Sequence, residues 1–204
     1  MWTSKSSAPI SLIQRENVSV SRLKAKSALA GFSQSYDGIT VRELTDFELV
    51  SLAVANGRER DFSQAFHHNF EVDPPAPGQV INVDGGAVMW TSPDSYMVMS
   101  DLPNDRLDDM LSGEFQGTAY GVLQSDGWVG LELSGDRIMD LMERLVSVDL
   151  SIAGSDFATR TTSLHTPIYL LRRGDITYLF LIPRSYAVSY LDNLMDVIRN
   201  KPKG

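Results

Sequence analysis

The 204-residue chain contains no cysteine. That excludes disulfide stapling, a thiolate nucleophile and cysteine-ligated zinc or iron–sulfur sites. Long apolar runs are missing too. The longest, residues 178–183, falls far short of the roughly 20 residues a membrane helix needs. The opening Met1-Trp-Thr-Ser-Lys-Ser-Ser7 lacks the apolar core of a signal peptide. These absences predict a cytoplasmic protein with no membrane partner. Only three histidines occur, His67, His68 and His165. Adjacent histidines on a helix point about 100° apart, so His67 and His68 would need Asp61 or Glu71 to build a metal site. No metal ligand is assigned. Catalytic signatures are equally scarce. Gly31-Phe-Ser-Gln-Ser35 lacks the closing glycine of a nucleophile elbow, and neither a Walker loop nor a dinucleotide-binding glycine loop occurs.

What is present describes a folded globular chain, with 43% hydrophobic and 22% charged residues. The net charge of −8 is unevenly spread. Lys5, Arg15, Arg22, Lys24 and Lys26 face only Glu16 in the first 30 residues, so the remainder is more acidic than the whole. Residues 1–36 read as a basic N-terminal arm with scattered apolar residues, packed along its own domain or wrapped on a partner chain. Residues 37–204 read as the folded domain. An acidic body repels phosphate backbones, which argues against a nucleic-acid partner.

Strands are expected at 39–44 and 48–54, then a helix over 58–70 with Phe62, Ala65, Phe66 and Phe70 on one face. Residues 71–86 are rich in proline and glycine and read as a connection. Pro93 suits the second position of a tight turn, making 87–91 and 96–100 a hairpin. A helix is expected from Pro103, with Leu107, Met110 and Leu111 inward. Val129, Leu131 and Leu133 alternate as a half-buried strand. The next helix places Ile138, Leu141, Met142 and Leu145 inward, with Ser134 as its cap and Asp136 in its first turn. A second hairpin, 167–172 with 176–182, turns at Gly174-Asp175. Its second strand is apolar on both faces and should be central. The last helix, from about Ser185, buries Ala187, Leu191, Leu194 and Ile198.

Set side by side, residues of about 45–115 and 128–198 repeat one order: strand, helix, hairpin, helix. That predicts an α+β fold, a pseudo-duplicated domain with mainly antiparallel sheets. Few side chains stand out for chemistry. Asp84-Gly85-Gly86 follows an apolar stretch but leads into a strand, as a turn does. Asp108, Asp109 and Glu114 read as solvated carboxylates. Ser134 to Arg137 opens a helix, where amides and Arg137 could hold an anion, but Asp136 opposes that. Arg172, Arg173 and Arg184 flank the second hairpin and could clasp a carboxylate or phosphate, or sit on an interface rim.

Three segments of the second half carry a resemblance: Trp128-Val-Gly-Leu-Glu-Leu-Ser-Gly-Asp-Arg137, Leu145-Val-Ser-Val-Asp-Leu150, and Tyr178-Leu-Phe-Leu-Ile-Pro-Arg-Ser185. With Trp90-Thr-Ser-Pro-Asp-Ser-Tyr-Met-Val-Met99 in the first half, this pattern resembles the γ subunit of heterotetrameric sarcosine oxidases over residues 40–198. The resemblance implies the fold of the folate-dependent aminomethyltransferases of the glycine cleavage system. It also implies α, β and δ partner subunits holding FAD, FMN, NAD, tetrahydrofolate and zinc, in a flavoprotein complex that demethylates sarcosine to glycine and passes the one-carbon unit to tetrahydrofolate. The γ chain is implied to be a non-catalytic assembly subunit of that oxidoreductase, with no cofactor of its own. Folate-dependent aminomethyltransferases place an acidic pair soon after a Gly-Gly. Here Gly85-Gly86 is followed by Ala87, Val88, Met89 and Trp90, with no acid until Asp94. No catalytic, cofactor-binding or metal residue is therefore carried over. A related N-methyl amino-acid dehydrogenase, such as one acting on N-methylglutamate, and a free-standing folate-binding protein are the alternatives. Trp2 is a candidate interface anchor on the arm.

Overall fold

The structure, a computed structural model, describes residues 26–100, 113 and 115–200. Among these residues eleven strands form two antiparallel sheets. In chain order they begin with β1 (Ser33–Tyr36), β2 (Ile39–Leu44) and β3 (Glu48–Val54), followed by helix α1 (Glu59–Phe70). Next come β4 (Val80–Val83), β5 (Gly86–Ser92), β6 (Ser95–Ser100) and β7 (Ala119–Leu123). The second half holds β8 (Trp128–Ser134), α2 (Ile138–Leu145), β9 (Ala158–Ser163), β10 (Thr166–Gly174), β11 (Thr177–Pro183) and α3 (Ala187–Arg199). The helix expected from Pro103 and most of the basic arm lie outside the described residues. The stretch 26–36, at the arm's end, is folded, with β1 paired to β2.

The duplication is visible in the strand order. One sheet runs β4-β5-β6-β3-β7 and the other β1-β2-β8-β11-β10-β9. In each half the leading strand pairs with the last strand of its own hairpin, β3 with β6 and β8 with β11. The strand just before each half then crosses over. β2 leads into β3 yet pairs with β8, and β7 leads into β8 yet pairs with β3. Each sheet is completed by a strand from the other half.

Period-2 patterning explains the layers. Along β11, Tyr178, Phe180 and Ile182 join Leu131, Leu133 and the inward faces of α2 and α3 in one core. Leu179 and Leu181 point the opposite way, into a layer between the sheets with Leu49, Met89, Met97 and Met99. A third core lies under α1, where Phe62 and Phe66 meet Val50, Leu52, Val98 and Phe115. The chain is thus a helix–sheet–sheet–helix sandwich, and β11 is apolar on both faces because both faces are covered. The flexible methionines fill the uneven space between two twisted sheets.

Three local expectations are corrected. β4 forms inside the Pro/Gly-rich stretch, because Val80 to Val83 pair with β5 across the Asp84-Gly85 turn. Ser134 does not cap α2: the helix starts at Ile138, with Arg137 before it and no side-chain cap. Asp136 stands ahead of the first turn, whose acid is Asp140.

Beneath α3, the Tyr190 hydroxyl lies 2.7 Å from Ser163 Oγ, both buried. Burial pushes the Tyr190 phenol well above its ordinary value of 10.0, and the Ser163 bond only partly opposes this. Below about pH 10 both folded and unfolded chains keep that proton. Above it the unfolded chain loses the proton first, so stability falls by about 1.4 kcal/mol per pH unit. Urea midpoints measured on either side of that value should show the fall, and Tyr190→Phe should remove this part of it. An unchanged slope in the variant would exclude the assignment.

Candidate functional site

The two crossing connections run side by side. Residues 45–47 join β2 to β3, and residues 124–127 join β7 to β8. Gln124 donates its N–H to the Leu49 carbonyl at 2.7 Å. Leu49 N–H donates to Ser125 Oγ at 3.0 Å, and that hydroxyl donates to Glu48 Oε2 at 3.1 Å. Phe47 lies over Gly130, where a Cβ would meet its ring at 3.0 Å. These bonds frame a cavity of about 590 Å³.

Phe47 and Trp128 form its apolar wall, and Trp128 is backed by Tyr169 at 5.0 Å between ring centres. Four carboxylates, Glu43, Asp46, Glu48 and Asp126, line it against two cations, Lys26 and Arg184. The volume suits a small molecule. The charge balance favours cationic or hydrogen-bond-donating groups over phosphate.

Glu43 has a structural task. Its carboxylate is buried and accepts from Ser27 Oγ at 2.5 Å, Leu29 N–H at 3.0 Å and Gly31 N–H at 2.7 Å. Arg184 Nη2 donates to the Lys26 carbonyl at 2.5 Å. Residues 26–31 are thereby clasped to β2 at the cavity's edge. Glu43→Ala removes the shared acceptor of three donors, of which Gly31 N–H keeps Ser27 Oγ at 3.0 Å, and is expected to cost about 1–3 kcal/mol. Faster trypsin cleavage after Lys26 and a lower melting temperature would show it. Cleavage at the wild-type rate would refute the clasp.

The other sequence-predicted residues are scattered. Asp84-Gly85 is the two-residue β4–β5 turn, and Gly86 packs so closely on β6 that a Cβ would stand 2.0 Å from the Met99 carbonyl oxygen. That approach explains the second glycine without a ligand. Ala87, Val88 and Met89 after it are buried in β5. Asp94 turns the next hairpin in a left-handed conformation, φ 54°. His67 and His68 lie along α1, bordering an open groove with Arg60 and Asp73. His67 Nδ1 is 3.1 Å from Asp73 Oδ1. Asp61 is tied to Arg58 at 2.5 Å, and Glu71 ends the helix with φ 58°. His165 stands at the edge of β10, where with Leu164 it forms the tight β9–β10 turn, both at positive φ. Among the described residues no three histidine or carboxylate side chains converge as a metal site.

Arg137 bridges Asp37 and Asp140, each at 3.1 Å, so the Ser134–Arg137 corner presents no free cation. Arg172 is held by the Ala153 carbonyl at 2.7 Å. It pairs with Tyr178 near one end of β11, while Arg184 follows the other end; six residues of strand put them about 20 Å apart. They form no shared clasp. Asp108, Asp109, Glu114 and Trp2 lie outside the described residues. Glu43 escaped notice in the sequence, although it shares a strand face with Ile39 and Val41, where a carboxylate is out of place.

The fold is shared with solved structures. A chain of heterotetrameric sarcosine oxidase from Corynebacterium sp. U-96, solved in complex with pyrrole 2-carboxylate, matches at 21% identity with a TM-score of 0.74, over 86% of this chain and 95% of that one. Glycine cleavage system aminomethyltransferase T from Bartonella henselae matches at 13% identity with a TM-score of 0.55, over 75% of this chain and 44% of that one. The chain therefore spans less than half of that transferase. No protein-family model and no curated protein matches the sequence. No helix among the described residues is long and apolar enough to cross a membrane.

Proposed function

We propose that this chain is a γ-type assembly subunit of a multi-chain, flavin-dependent sarcosine oxidase, contributing interface rather than an active site. The observation that carries this reading is the nearly end-to-end match in fold with one chain of a heterotetrameric sarcosine oxidase. The transferase likeness covers only part of a longer enzyme. In this reading FAD, FMN, NAD, tetrahydrofolate and zinc are held by the α, β and δ partners. The acidic lining of the crossover cavity suits none of the phosphate-bearing groups among them.

The test is affinity purification of the tagged full chain from its native host. Larger chains should co-purify in fixed ratio with a flavin absorption band and turnover of sarcosine. Turnover of another N-methyl amino acid would keep the assembly role and change the substrate. A solitary, colourless chain would overturn the reading. If that chain bound tetrahydrofolate, it would be a free-standing folate-binding protein instead.

A further inference from the structure

The sheet edges are not protected alike. β1 is short and polar, reading Ser-Gln-Ser-Tyr. β9 carries Arg160. β4 and β9 approach each other through a bridge between Gln79 and Phe157. β7 has none of these defences: it reads Ala-Tyr-Gly-Val-Leu, without charge, proline or bulge. Tyr120 is 69% exposed, Val122 56% and Leu123 55%. Beside Tyr120 and Val122 on β3 stand Ala53 and Ser51, also uncharged. Edges of this kind are templates for another strand.

The ladder shows which backbone groups are open. Gln124 N–H bonds to Leu49 O, and Thr118 O accepts from Ala55 N–H. By antiparallel alternation Tyr120 and Val122 face β3, while Gly121 and Leu123 direct their N–H and C=O outward. The twin position in the other sheet is filled. There β2, the strand that crosses over like β7, has β1 lying antiparallel along its outer edge. Among the described residues just before β7, Phe115 is buried in the core under α1 and a turn joins it directly to Ala119, so none of these lies along the outer edge.

We infer that the outer edge of β7 receives an extended, uncharged strand from a larger partner chain, added antiparallel along Gly121 and Leu123. This rests on the assembly reading. A five-residue edge is far below the roughly 1,200 Å² at which stable interfaces begin, and a second copy would bring together two chains of charge −8. A partner held by a wider interface supplies the strand at high effective concentration, and main-chain bonds to the edge then lock it.

The experiment compares amide hydrogen exchange of the isolated full chain and of the complex purified from the native host. Gly121 and Leu123 amides should exchange fast in the isolated chain and at least about tenfold slower in the complex, with Tyr120 and Val122 slow in both. Leu123→Pro removes an outward donor and leaves the bonds to β3 intact. It should lower recovery of partner chains by roughly tenfold or more, whereas Leu123→Ala, which keeps the donor, should retain most of it. A flavin-bearing complex with β7 amides unprotected, and undiminished in Leu123→Pro, overturns the edge proposal and leaves the assembly reading standing. Concentration-dependent protection in the isolated chain would assign the edge to a second copy and also overturn it. Absence of any complex overturns both readings.

Discussion

Cut between Gly117 and Thr118, the chain is expected to give two fragments that remain unfolded apart and fold when mixed. The cut lies on the connection before β7, in a turn where Gly117 has no packing neighbour at its Cβ position. The first fragment keeps β3 but loses β7, its partner over five residue pairs. The second keeps β8 but loses β2, also over five pairs. The core is exchanged along with the strands. Ile39 and Val41, only 3% and 1% exposed, belong to the cluster under α2 and α3, whereas Ala119 belongs to the cluster under α1. Burying one such aliphatic side chain contributes about 1.5–3 kcal/mol. Ile39 and Val41 alone therefore approach the ~5–15 kcal/mol that stabilises a whole domain. The layer between the sheets is lost as well, since it draws residues from both. Circular dichroism and heteronuclear NMR of each fragment, and of an equimolar mixture, would test this. A cooperative melt from either fragment alone would refute it. The same exchange predicts one unfolding transition for the intact chain.

The limits of sequence reading follow from the same geometry. Both-sided apolarity marked β11 as central, and 3.6-residue spacing marked the buried faces of α1, α2 and α3, because these signals are local. Strand exchange is not local: nothing in Ile39 to Leu44 names Leu131 or Leu133 as its neighbours, although the repeated order of elements was legible. β1 escaped because its four side chains are all polar or exposed, and β4 because four residues amid proline and glycine give too short a pattern. The cap assigned to Ser134 failed because the chain must first pass the β1–β2 turn. At the cavity, Trp128 was noticed within a motif, but its companions Phe47, Ser125 and Asp126 come from connections that only the crossing of strands brings together. The one signal available there was Glu43, an acid in phase with Ile39 and Val41.

The corner after β8 is where a single atom should matter most. Gly135 has φ 137°, a conformation that L side chains rarely adopt. An added Cβ would stand 1.9 Å from the Gly38 carbonyl oxygen and 3.0 Å from its carbon, both backbone atoms that cannot rotate away. The approach is close because Thr40, at the start of β2, pairs with Ser134 at the end of β8, so the Asp37-Gly38 turn is pressed onto the residue that follows. Gly135 also donates its N–H to the Ile176 carbonyl and accepts from Ile138 N–H, linking the β10–β11 turn to the first turn of α2. Relief by moving β2 would pull Ile39 from the core. In Gly135→Ala, backbone strain of about 1–3 kcal/mol adds to a displacement cost of about 1–3 kcal/mol. The expected loss is thus about 2–6 kcal/mol, a large share of the ~5–15 kcal/mol that stabilises a whole domain. Gly127→Ala is the control, since its φ is not in the left-handed region and its nearest neighbour at the Cβ position is the Gln124 side chain at 3.8 Å. That variant should change stability by less than about 1 kcal/mol. Urea titrations extrapolated to water would compare them. A loss below about 1 kcal/mol in Gly135→Ala would mean that the strand exchanged between the halves is free to shift, and that the corner does not hold it in register.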